Sequence, residues 1–200
     1  DRLSQSEAAS LTESDKARLA VIDFAACVVD RYGFLAKDYR DMAFDDPKVH
    51  RNVTRMLAGG CQYSVRFSFD RMSFNTTLLR GAIFRAFYIQ NPLDLPESGG
   101  GSVDYLQNIV NVSEPRTSLY LAMMDFGSCV VRSEPRKTRA FVLATPGTDA
   151  EKSDLQPALG PCLPAGAEIA INKANLSAAL AETLYRETQA GRSNLAEVSN

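Results

Sequence analysis

Tryptophan is absent, histidine occurs once, and no apolar run approaches the roughly 20 residues that a bilayer span requires. Each absence closes off a class of function. A lone histidine, His50, cannot supply the ligand pair of a common zinc centre, and no serine or cysteine motif accompanies it for nucleophilic catalysis. Beside Lys48 and Arg51 it reads as a surface residue. The longest apolar helical stretch, Leu78 to Ile89, is interrupted by Arg80 and Arg85 and reads as a core helix. No G-x-S-x-G, H-E-x-x-H, phosphate-loop or G-x-G-x-x-G pattern occurs, and Gly99 to Gly101 follow no predicted strand, so they read as linker. Neither a cofactor nor a metal is expected. One-sided charge is also missing. Residues 11–90 carry +3, residues 91–200 carry −4 and the first ten carry −1, for a net −2. So mild an imbalance is not the basic surface of a nucleic-acid binder.

What is present is a repeat. Asp23-Phe24-Ala25-Ala26-Cys27-Val28-Val29 returns 102 residues later as Asp125-Phe126-Gly127-Ser128-Cys129-Val130-Val131, with five identities at the same spacing. Ile83-Phe84-Arg85 precedes Leu184-Tyr185-Arg186 by 101. The four cysteines follow the same rhythm: Cys27 and Cys61 are 34 apart, Cys129 and Cys162 are 33 apart. No C-x-x-C is present, so the expectation is one disulfide per copy, Cys27–Cys61 and Cys129–Cys162, in an oxidising compartment. Each loop closed in this way is expected to contribute about 3–4 kcal/mol in the chain-entropy model.

With 45% hydrophobic and 23% charged residues and a mean hydropathy of −0.17, the chain reads as soluble, globular and mainly α. Residues 13–90 form a first repeat of four helices and a short strand, 91–112 a linker, and 113–190 a second repeat of the same kind. Helices are predicted from Glu13 to Arg31 after a Thr12 cap, from Phe34 to Phe44, from Asp46-Pro47 to Gly59-Gly60, and from a cap at Ser73 or Asn75 to Ile89. Tyr63 to Phe69 alternates and predicts the strand, with a counterpart at Glu168 to Asn172. Val103 to Val112 predicts a short helix. Ser113-Glu114-Pro115-Arg116 and Ser133-Glu134-Pro135-Arg136 both open helices, Thr148 to Glu151 is a capping box, and Asn175 caps the last helix. The first helix of each copy is apolar nearly all round, so the two are predicted to pack together, or on the opposite copy, in one pseudo-two-fold core.

Four groups of residues are candidates for a role. Asp23 and Asp125 sit on otherwise apolar helices, so ion pairs Asp23–Arg85 and Asp125–Arg186 are predicted, either as fold-specifying contacts or as the polar floor of a cleft. Arg51, Arg55, Arg66 and Arg71, with Phe67, Phe69 and Phe74, make the first copy basic and aromatic. They read as solvated arginines over core aromatics, or as a surface for an anionic envelope polymer or acidic partner. Phe24, Met123, Met124 and Phe126 are candidates to line an apolar pocket between the copies. Asn52, Asn75, Asn111 and Asn175 begin N-x-Ser/Thr sequons that are incidental in a bacterial protein.

The Asp-Phe-x-x-Cys-Val-Val run, Pro157 to Gly166, and Leu180 to Arg186 resemble uncharacterised exported bacterial proteins. That resemblance implies a periplasmic or secreted location, with any signal peptide already removed, and assigns no catalytic residue. The leading expectation is a non-enzymatic helical interaction or scaffold domain for a protein or envelope polymer. The alternative is a carrier of a small apolar ligand or lipid, which a core cavity of roughly 300 Å³ or more would favour. A hydrolase using a buried aspartate would need Asp23 or Asp125 at an open cleft.

Overall fold

A computed structural model describes residues 10–66, 75–91, 101–152, 159, 162 and 172–198, with side chains to 193. Its eight α-helices among these residues are α1 Glu13–Arg31, α2 Gly33–Asp41, α3 Val49–Ala58, α4 Thr76–Gln90, α5 Pro115–Ser133, α6 Pro135–Leu143, α7 Asp149–Lys152 and α8 Lys173–Val198. Short 3-10 turns cover Cys61–Ser64 and Tyr105–Asn108. No strand is formed among the described residues.

The caps follow side-chain chemistry. Thr12 Oγ1 accepts the Asp15 N–H, Asn75 Oδ1 accepts the Thr77 N–H, and Asn172 rather than Asn175 caps α8 by accepting the Asn175 N–H. Glu114 and Glu134, not the serines before them, occupy the cap positions of α5 and α6, with proline first in each helix. The predicted box at Thr148 does not close as such. Glu151 accepts from the Gly147 N–H and pairs with Arg18, tying α7 to α1.

The centre of the protein is the α4–α8 pair. Gly81 makes it possible: a Cβ there would run into the Ala178 backbone, so the two helices meet main chain to main chain. α1 packs on the other side of α4, and α5 on the other side of α8. Gly127 serves the latter contact, since a Cβ would lie 2.8 Å from Thr183. Phe24, Val28, Leu79, Ile83, Phe84, Val130, Leu180 and Leu184 belong to one buried cluster running through all four helices. This corrects the expectation for α1 and α5, which are separated by the central pair instead of packing together. The reason lies in what each can cover. From Leu79 to Tyr88 every residue of α4 except Arg85 is buried, whereas α1 still presents Ala26, Asp30 and Arg31 to solvent.

Both expected disulfides form, each with Cα atoms 5.7 Å apart. The strand predicted from Tyr63 does not begin. Tyr63 and Ser64 lie in the 3-10 turn after Cys61, and Tyr63 is 86% exposed. Gly60 at φ 82° turns the chain, the Cys27–Cys61 bond holds it on α1, and the Arg66 N–H donates to Asp23 rather than to a neighbouring strand. Residues 67–69 and 168–171 of the two expected strands lie outside the described residues. The helix expected over 103–112 shrinks to one 3-10 turn, opened by Asp104 accepting from the Leu106 N–H.

Candidate functional site

Arg80 is a buried charge on the apolar helix α4, and its surroundings define the site. It is 3% exposed, on a helix that carries no acidic residue, so its partner has to come from elsewhere in the fold. That partner is Glu182 of α8, 2% exposed: Arg80 Nε donates to its two oxygens at 3.1 and 2.9 Å. Arg186 Nε and the Tyr120 hydroxyl each donate to Glu182 Oε1 at 2.9 Å, and Arg80 Nη1 and Nη2 both donate to the Met42 carbonyl at 3.2 Å. Burial by itself would raise the Glu182 pKa, but the charges and hydrogen bonds of Arg80 and Arg186 carry it below the ordinary value. Burial pushes the Tyr120 phenol up, and the Glu182 charge pushes it further, so it stays a donor.

Above this network lies a cavity of about 320 Å³ between the two halves of the chain. Arg80, Glu182 and the Tyr120 ring form its floor. Met123, Met124, Phe44, Ala178 and Ala179 form its walls, and Phe44 stacks on Tyr120 with centroids 4.2 Å apart. Leu119 and Arg116, both largely exposed, stand at the mouth with Asn75 and Asn175 from the starts of α4 and α8. Several of the wall residues belong to a second apolar cluster with Tyr105 and Ile109. That segment is fastened to Phe44 and Asp45: the Phe44 N–H donates to the Asn108 carbonyl at 2.8 Å, and Asp45 accepts the Val110 N–H at 2.7 Å.

The predicted site residues are only partly gathered here. Met123 and Met124 line the cavity, whereas Phe24 and Phe126 are buried in the main core. The predicted ion pairs are replaced by others. Asp23 pairs with Arg66 at 2.8 Å, because the turn after Cys61 brings Arg66 over α1. Arg85 is capped instead by α6: its Nε and Nη2 donate to the Val142 and Leu143 carbonyls at 2.8 and 2.9 Å. Burial, then the Arg66 charge, lowers the Arg85 pKa. Asp125 is exposed on α5, and Arg186 belongs to Glu182. Of the basic group, Arg51 and Arg55 are exposed on α3, Arg66 is engaged by Asp23, and Arg71 with Phe67, Phe69 and Phe74 lies outside the described residues. His50 is exposed.

No family model, curated protein or solved structure matches this chain. Among the described residues, no group of three or more His, Cys, Asp and Glu side chains is placed to hold a metal, and no helix is long and apolar enough to cross a membrane. The chemistry of the site therefore has to be read from its own groups. Among the described residues, Glu182 is the one carboxylate in the lining, and it accepts from three donors.

A further buried acid lies on α8 beyond the cavity. Glu187 is fully buried, accepts from Ser128 and lies 3.4 Å from Arg132, while its Oε2 has no partner among the described residues. Burial raises its pKa, with Ser128 and Arg132 opposing. A folded-state pKa above the unfolded one means that the folded chain holds the proton longer. Stability is then complete below the ordinary Glu value of about 4.3 and declines as pH rises through the raised one. Glu187→Gln is expected to flatten that decline in denaturation curves measured from pH 4 to 8. An unchanged slope in the variant would place its origin elsewhere.

Proposed function

We propose that this protein is a non-enzymatic binding protein that holds a small, mostly apolar ligand in the cavity between its two halves. The cavity carries the reading. About 320 Å³ is within the range of small-molecule sites, its walls are thioether, aromatic and alanine, and polar groups are confined to floor and mouth. An interior of ordinary packing density has few voids larger than a water molecule. The preference therefore moves from the scaffold role to the carrier role.

The reading includes descent from a duplicated four-helix unit, residues 13–90 and 113–190 with a linker between, without the strands. Equal lengths support it: 19 residues in both α1 and α5, nine in both α2 and α6. Contacts between corresponding positions support it too. Phe84 meets Tyr185, its counterpart 101 positions later, with ring centroids 5.5 Å apart. A pseudo-dyad between α4 and α8 puts equivalent residues face to face in this way. Two disulfides and the resemblance to exported bacterial proteins favour a periplasmic or secreted setting. Exposed Leu106, Val110 and Val112, with Arg51 and Arg55 on α3, are what an interaction with a protein or envelope polymer would draw on.

The test is a titration with N-phenyl-1-naphthylamine, a neutral apolar fluorophore. Saturable one-to-one binding is expected, with Kd on the order of micromolar. It should be abolished by Met123→Trp, which fills the cavity from a half-buried wall position. Far-UV circular dichroism checks that the variant is folded. Absence of saturable binding, or binding indifferent to Met123→Trp, would remove the carrier reading.

A further inference from the structure

We infer that the ligand is a single-tailed amphiphile with an anionic head, seated with its head at the cavity mouth and its tail against the methionine wall. The inference rests on the carrier reading and adds the chemical class. Charge around the cavity is asymmetric. Its lining holds two guanidiniums, Arg80 and Arg116, against the single carboxylate of Glu182. That carboxylate is at the floor and is consumed by Arg80, Arg186 and Tyr120. Among the described residues, the lining of the mouth includes no acidic side chain, and Glu114 beside it is paired with Arg116.

The mouth supplies the positive end. Arg116 stands there with its side chain 74% exposed and paired with Glu114, a solvated pair that is easily exchanged for another anion. Asn75 and Asn175 line the same opening, so α4 and α8, of 15 and 26 residues, both begin at it. Their aligned dipoles add to the Arg116 charge at one place. A cationic head would meet all three unfavourably. The floor offers an anion no comparable place, since Arg80 is already occupied on Nε, Nη1 and Nη2 and Glu182 lies against it.

The tail is limited by volume. Filling about 320 Å³ suits an alkyl chain of about ten carbons or a compact ring system, not a two-chained lipid. The flexible thioethers of Met123 and Met124 tolerate variation in its shape. Free carboxylates and phosphate monoesters share this chemistry.

Displacement of bound N-phenyl-1-naphthylamine by decanoate, decyl phosphate, decanol and decylamine separates the possibilities. Decanoate and decyl phosphate are expected to displace the probe about fivefold more effectively than decanol, and decylamine less effectively than decanol. The ratio between the two anions tells carboxylate from phosphate. Arg116→Gln is expected to erase most of the anion advantage and to leave decanol within about twofold, as is raising salt to 0.5 M. Decanol equal to the anions, or Arg116→Gln weakening decanol as much as decanoate, overturns the anionic head while leaving the cavity reading standing. Failure of the fluorophore itself to bind overturns both.

Discussion

Glu182→Gln is expected to lower the free energy of unfolding by about 3–5 kcal/mol at neutral pH, read from urea denaturation. The substitution preserves shape but leaves Arg80, 3% exposed, without its counter-ion, and weakens the hydrogen bonds from Arg186 and Tyr120. Native stability is commonly only about 5–15 kcal/mol, so the shift would be a large part of the whole. Removing both charges together, as Arg80→Met with Glu182→Leu, is expected to cost less than the single change, because no unpaired buried ion remains. A single-variant loss below about 1 kcal/mol would show that the guanidiniums find water or another anion. The same network predicts acid sensitivity. The folded-state pKa of Glu182 lies below the unfolded value, so its contribution is complete above about pH 4.3 and is lost as pH falls through the folded pKa. Asp15 and Asp45 are lowered as well and act in the same direction, Asp15 through Thr12 and Arg18 against burial, Asp45 through the Val110 and Asn111 amides against burial. In the Gln variant the acid limb should begin later and be shallower.

Replacing Cys27 and Cys61 together by alanine is expected to cost about 3–4 kcal/mol, as is the Cys129 and Cys162 pair. Each bond closes a loop of similar size, 34 and 33 residues in separation, so the two losses should be comparable. They should not be equal in local effect. The Cys27–Cys61 bond also positions the turn that carries Arg66 to Asp23, and its removal should release that ion pair. Urea curves of the double-alanine variants, and of the native protein with and without reductant, measure both. Full stability in reductant would mean that packing alone holds the ends of α1 and α3, and it would weaken the case for an oxidising compartment.

Most of the helical frame was legible from residues. The Thr12 cap opens α1, the Asn75 cap opens α4, and two prolines open α5 and α6. These are local signals: a side chain satisfies an amide two or three residues away, so sequence proximity is sufficient. Cysteine pairing was legible for a related reason, since the four cysteines fall into two pairs at nearly the same separation, 34 and 33 residues. The alternation at Tyr63 misled because period-two patterning records a face without showing whether a partner strand exists. A disulfide and a left-handed glycine spent those residues on a turn.

The site was less legible. Met123 and Met124 were identifiable, but Phe24 and Phe126 were assigned to a pocket when they fill the main core. Asp23 and Asp125 stood out because the repeat carried them, yet recurrence says nothing of partners: one found Arg66 and the other solvent. The signal that was available lay in Arg80, a charge in an apolar helix with no acidic neighbour, matched by Glu182 in another apolar helix 102 residues on.

Residues alone determined that this chain is mainly helical and that its cysteines pair 27 with 61 and 129 with 162. Tertiary structure alone decided which helices meet and what space they leave. Gly81 and Ala178 let α4 and α8 close to main-chain contact, which displaced α1 and α5 to the flanks and splayed the helix starts around a cavity. That outcome depends on interdigitation of side chains from both halves at once, a property of shape and volume that no local pattern encodes.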